Sequence, residues 1–172
     1  MTVSPTTAGE RAARSVGLVE GMRWLAGLTR RPDAAWSAWQ AGRLVSVPAG
    51  EGFVAVRVSR QLGLAAHRIL QEEHQAFAGP VLRNHELDSI EFFVAPSPAV
   101  WLGSEVLRLD GGRRSTTTVA CPPLGQRIDG RLWLIPPYAA PGAAAQCTDP
   151  HRLARALTLA RQRLHAAGYP AS

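Results

Sequence analysis

Gly52-Phe53-Val54-Ala55-Val56-Arg57-Val58-Ser59 is the stretch on which the fold turns. Its alternation predicts a central β-strand. Phe53, Ala55 and Arg57 point to one face, and Val54, Val56 and Val58 to the other. The turn Pro48-Ala49-Gly50-Glu51-Gly52 leads into it. Ser59 is placed to cap a helix running from Arg60 to about Ala76, with Leu62, Ala66, Ile69 and Leu70 on its buried side. Gly63 is a weak helix former near the start of that helix. An arginine in such a strand must pair with an acid, meet solvent in a groove, or bind an anion.

Outward from this strand, Thr7-Ala8-Gly9-Glu10 fits a capping box for a helix from Ala8 to about Leu28. Arg30-Arg31-Pro32 ends it. Asp33 is placed to cap a short helix, Ala34 to Gln40, that sets Trp36 and Trp39 on one side. Strands are predicted at Arg43 to Val47, Pro80 to Arg83, Ser89 to Ala95, Glu105 to Leu109, Ser115 to Cys121 and Arg131 to Ile135. Several stop at prolines, where a lost N–H does least harm. Thr148-Asp149-Pro150 opens a closing helix over about 148–167. Consecutive strands with short connections predict an α/β (α+β) fold: one domain over 1–172, with a mixed, largely antiparallel sheet flanked by helices and a flexible tail at 1–7.

At 172 residues and 46% apolar content, the chain has enough material for one core. It has no apolar run near the roughly 20 residues that span a bilayer, and its start lacks a secretory pattern. Cys121 and Cys147 make no disulfide framework, which places the chain in the cytoplasm with reduced thiols. The net charge is +6, and all 19 basic residues are arginine. Many Ala, Gly and Pro accompany them, as a GC-rich genome produces. The excess still suits contact with nucleic acid or another polyanion.

Trp36-Ser37-Ala38-Trp39, followed by Val45 to Phe53, resembles the tryptophan-rich helix and glycine turn of the N-terminal domain of bifunctional DNA primase/polymerase proteins. Ile90-Glu91-Phe92-Phe93-Val94-Ala95-Pro96, Asp110-Gly111-Gly112, Val119-Ala120-Cys121-Pro122-Pro123 and Trp133-Leu134-Ile135-Pro136-Pro137 resemble later strands of that prim-pol domain in order. The likeness covers about 36–137. It implies a prim-pol-like fold whose first strand carries paired metal-binding carboxylates. Here those positions read Arg57 and Ser59, the family's histidine falls near Ser89, and its third acid falls near Leu107. The resemblance therefore implies a degenerate member that has lost its catalytic motifs and takes no metal cofactor.

No serine or cysteine nucleophile motif is present. His67 and His74 stand seven apart, unlike helical zinc ligands four apart. Glu91 and Glu105 lie on predicted strands and are expected to face solvent. The residues singled out for anion contact are Arg57, Arg113, Arg114 and Ser115, the last three on a glycine turn. The expected function is non-catalytic binding of nucleic acid or a nucleotide through an arginine-lined surface, with no membrane role. The alternatives are a protein-interaction or regulatory module, including a homodimer, and a rebuilt enzyme using Glu91, Glu105 or Asp110.

Overall fold

The computed structural model describes residues 8–73, 79–97, 102–111 and 117–169. Its elements in chain order are α1 (Ala8–Gly27), α2 (Pro32–Gln40), β1 (Val45–Pro48), β2 (Val54–Ser59), α3 (Arg60–Glu72), β3 (Val81–Asn84), β4 (Ser89–Val94), β5 (Leu107–Leu109), β6 (Thr118–Cys121), β7 (Arg131–Ile135) and α4 (Pro150–Ala166). Five strands form one sheet in the order β5-β2-β4-β3-β7, and β1 and β6 form a second. All the strand ladders are antiparallel. The expected α+β architecture is what the chain adopts.

The register sorts the large sheet into two faces. Val54, Val56 and Val58 of β2 share a face with Ile90 and Phe92 of β4. That face packs on Leu62, Ala66, Ile69 and Leu70 of α3 and on Leu153, Ala156, Leu157 and Ala160 of α4. The opposite face presents Ala55, Phe93 and Leu82, which pack on α1, α2 and the inward residues Val45, Val47, Val119 and Cys121 of the small sheet. Rings tie this second core together. Phe53 stacks on Phe93 with centroids 4.2 Å apart, Phe93 meets Trp133 edge-on at 5.4 Å, and Trp24 lies against Phe53 at 6.2 Å. Each such pair contributes about 0.5–1.5 kcal/mol beyond its burial.

Helix starts differ from the sequence reading. Pro32, not Ala34, opens α2, and Arg31 occupies the cap position without a side-chain bond, so Asp33 lies inside the first turn. Proline tolerates that place because its missing N–H has no helical partner there. Ser59 holds the cap position of α3, yet its side chain makes no capping bond. In α4 the expected cap is present: Asp149 Oδ1 accepts from Arg152 N at 2.9 Å. β1 begins two residues later than expected and takes in Pro48, and β5 and β6 are shorter at their starts. Thr7 of the expected capping box, and the end of the helix expected to reach Ala76, lie outside the described residues.

Gly63 has a packing reason. A Cβ built there would meet Ile90 Cγ1 at 2.6 Å and Val58 Cγ2 at 3.0 Å, so α3 crosses the sheet at a distance that only glycine permits. Gly63→Ala is expected to lose about 1–2 kcal/mol of stability in urea unfolding, because overpacking outweighs the better helix propensity of alanine. A variant as stable as the parent would show that α3 can lift from the sheet at no cost.

His67 of α3 is half-buried, and its Nδ1 is enclosed without a hydrogen-bond partner among the described residues. Burial lowers its pKa. The unfolded chain therefore takes up this proton more readily than the folded one, and stability falls as pH drops below the unfolded value of about 6.5. Between about pH 7 and pH 5, His67→Gln is expected to flatten the fall in urea midpoint relative to the parent. Equal slopes for both proteins would exclude His67 as a source of acid sensitivity.

A buried Arg57–Glu91–Arg131 cluster as candidate functional site

On the face that carries Ala55 and Phe93, the next rows of the sheet turn polar. Arg57 of β2 lies directly opposite Glu91 of β4, and Ser59 directly opposite Ser89. Asn84 of β3 faces Ser89 on one side and Arg131 of β7 on the other. Antiparallel pairing puts all six side chains on one face, at the end of the sheet where α3 begins.

Glu91 is the centre of this group and is fully buried. Arg57 Nε and Nη2 each donate to its Oε1 at 2.9 Å, and Arg131 Nη1 donates to its Oε2 at 3.3 Å. Arg131 Nη1 also donates to the Ala120 carbonyl of β6 at 3.2 Å. A carboxylate that has left water needs both charge and hydrogen bonds to stay ionised, and two guanidinium groups supply them. The expectation that Glu91 faces solvent is thus wrong. Every position of Ser89–Val94 is buried, so an acid there must have internal partners.

Two cations and one anion leave this cluster a formal charge of +1. The arginines reach water, with side-chain exposures of 23% for Arg57 and 14% for Arg131. Leu107 of β5, opposite Arg57 on the same face, is 51% exposed, so the sheet meets water at that position of its edge. Ser89 is 4% exposed, and its Oγ is buried without a partner among the described residues. Around the adjoining β3–β4 turn, the pKa of His85 is lowered by desolvation and then by the charges of Arg83, Arg127 and Arg60, against the opposing pull of Asp88.

Of the four residues singled out in the sequence, Arg57 alone is described, and it is engaged with Glu91. Arg113, Arg114 and Ser115 lie outside the described residues. The anchors of their loop approach Gly50 and Ala49: a Cβ on Gly50 would touch the Asp110 carbonyl, and Ala49 N donates to Thr117 O. Those anchors stand at the Phe53 end of β2, away from Arg57. Sequence reasoning missed Glu91 as a hub and missed Arg131. The available signal was a lone acid inside Ile90-Glu91-Phe92-Phe93.

The remaining acids do not converge. Glu105 pairs with Arg161, Asp110 with Arg108 at 3.0 Å, and Asp88 with Arg60 at 2.9 Å. Among the described residues, no group of His, Cys, Asp or Glu has the makings of a metal site. Cys121 is fully buried, and burial followed by the Glu91 charge pushes its thiol well above the usual range. Burial likewise pushes the Cys147 thiol up to about 12. Neither is an activated nucleophile. Trp39 and Trp133 are held by indole bonds to the Cys121 and Pro122 carbonyls, at 2.9 and 2.8 Å.

Arg57→Ala leaves a wholly buried carboxylate with one cation, and it is expected to cost about 2–4 kcal/mol in urea unfolding. Replacing Arg57, Glu91 and Arg131 together by Met is expected to recover most of that loss, because no buried charge is then stranded. A single variant within about 0.5 kcal/mol of the parent would mean that Arg57 does not hold Glu91 in solution.

Set beside known proteins, the chain matches no protein-family model, no curated protein and no solved structure.

Proposed function

We propose that this protein is a non-catalytic, prim-pol-like domain that binds nucleic acid or a nucleotide through phosphate at the arginine-lined corner of its large sheet. The observation that carries this reading is the Arg57–Glu91–Arg131 cluster, which keeps a positive remainder on two arginine side chains that reach solvent. Arginine forks match phosphate oxygens in pairs. Exposed Leu107 adds an apolar surface beside Arg57 for a sugar or base. Arg113, Arg114 and Ser115 extend the proposal as loop contacts to a longer strand. Arginine and serine at the positions where the resembled family carries acids support binding without metal chemistry.

The test is fluorescence anisotropy of labelled single- and double-stranded oligonucleotides over a salt series, with and without magnesium. Micromolar affinity that weakens steeply with salt is expected, with a log–log slope of about −2 to −4 and no need for magnesium. Arg113→Ala/Arg114→Ala is expected to weaken binding by about tenfold. No binding at low salt would overturn the proposal.

A further inference from the structure

The small sheet has one covered edge and one open edge. Ala49 N donates to Thr117 O at 2.9 Å, continuing the β1–β6 register. Hydrogen-bonded pairs alternate along an antiparallel ladder, so Val47–Val119 and Val45–Cys121 are the bonded pairs. The polar groups of Ser46 and Pro48 then point to the far edge of β1, and those of Ala120 to the far edge of β6. Two facts agree. The Ala120 carbonyl accepts from Arg131, and the Pro122 carbonyl beyond it accepts from Trp133, so β7 side chains cover the β6 edge. Pro48, which has no N–H, stands where a ladder donor is not needed.

Along the open β1 edge runs a groove of about 420 Å³ between β1 and α2. Small residues of α2, Ala34 and Ala38, line it on one side and Ser46 and Pro48 of β1 on the other, and Arg30 and Arg31, just before α2, line it too. Arg30 and Arg31 are exposed, as is Arg43 just before β1, and none of the three forms an ion pair among the described residues.

We infer that this groove takes an extended, acidic peptide segment of another protein, which adds a strand to β1. The Ser46 N–H and C=O supply the ladder bonds, the alanine wall admits alternate side chains, and Arg30, Arg31 and Arg43 favour carboxylates. Charge decides against the other occupants. A second copy paired through β1 brings like arginines together across the two-fold. The chain's own residues 1–7 and 170–172 carry no acid.

The test uses the full chain and a fluorescein-labelled peptide of alternating valine and glutamate, with a valine–lysine twin. The acidic peptide is expected to bind at least about tenfold more tightly than its twin and to slow exchange of the Ser46 amide. Ser46→Pro blocks the open edge without removing a β1–β6 bond, and it should abolish binding while leaving the thermal midpoint in place. Arg30→Glu/Arg31→Glu, on exposed positions, should reverse the preference between the two peptides, so the inference stays testable if the proline variant fails to fold. Equal binding of both peptides, or binding that survives Ser46→Pro, would overturn it. So would a concentration-dependent dimer dissolved by Ser46→Pro, which makes the second copy the occupant. Loss of oligonucleotide binding in Arg30→Glu/Arg31→Glu would assign these arginines to nucleic acid and overturn it too. Failure of oligonucleotide binding in the parent bears only on the Arg57 corner.

Discussion

Glu91 cannot leave its place in β4 without stranding a charge, and much of the large sheet is arranged around that fact. It sits on the middle strand of five, with β2 and β3 as neighbours. Its partners come from β2 and from the edge strand β7, so one carboxylate ties three strands together. A slip of one residue between β2 and β4 would turn Arg57 into the apolar layer under α3 and α4 and leave Glu91 half-paired. Such a group adds little net stability over a hydrophobic replacement, because desolvation offsets most of the attraction. What it does is penalise the wrong registers. Phe53 and Phe93 hold the other end of the same face by ring packing, and packing tolerates small shifts that a buried charge does not.

The parts of the fold that were legible in the sequence are those governed by local periodicity. The alternation in β2, the span of β7 and the Asp149 cap of α4 follow from short-range patterns. The misreadings concern residues whose state is set by neighbours far along the chain. Glu91 looks like a solvent-facing acid until β2 and β7 bring Arg57 and Arg131 to it. Gly63 looks like a weak point in a helix until the sheet beneath it is in place. Asp33 and Ser59 look like caps, but side-chain capping is one of several ways to satisfy a helix start, and sequence does not choose among them. The pairing of β1 with β6, whose partners run from Val45 with Cys121 to Pro48 with Thr118, is likewise invisible to local patterns.

The site was half legible. Arg57 stood out because an arginine in an apolar strand demands an explanation, and three explanations were open. The structure selects the first, pairing with an acid, and leaves part of the second, since the side chain still reaches solvent. The third is the functional proposal. These roles are compatible: a guanidinium has five N–H donors, and Glu91 engages those on one side only. A second arginine on the same carboxylate gives the cluster its positive remainder. One arginine on one acid would have produced a neutral pair with little to offer an anion.

Arg131 also carries the link between the two sheets. Its Nη1 is shared between Glu91 in the large sheet and the Ala120 carbonyl of β6. The indole of Trp133, two residues along β7, does the same for Pro122. The outer edge of β6 is thus satisfied by side chains where a neighbouring strand would otherwise supply backbone groups. Among the described residues no comparable side chain covers β1, because its neighbour is α2, whose facing residues Ala34, Ala35 and Ala38 carry no side-chain donor or acceptor. The same small residues that let α2 lie close to the sheet leave the backbone of Ser46 without a strand partner among the described residues. Edge protection on one side of this ribbon and its absence on the other therefore share one cause, the choice of polar against methyl side chains on the element alongside.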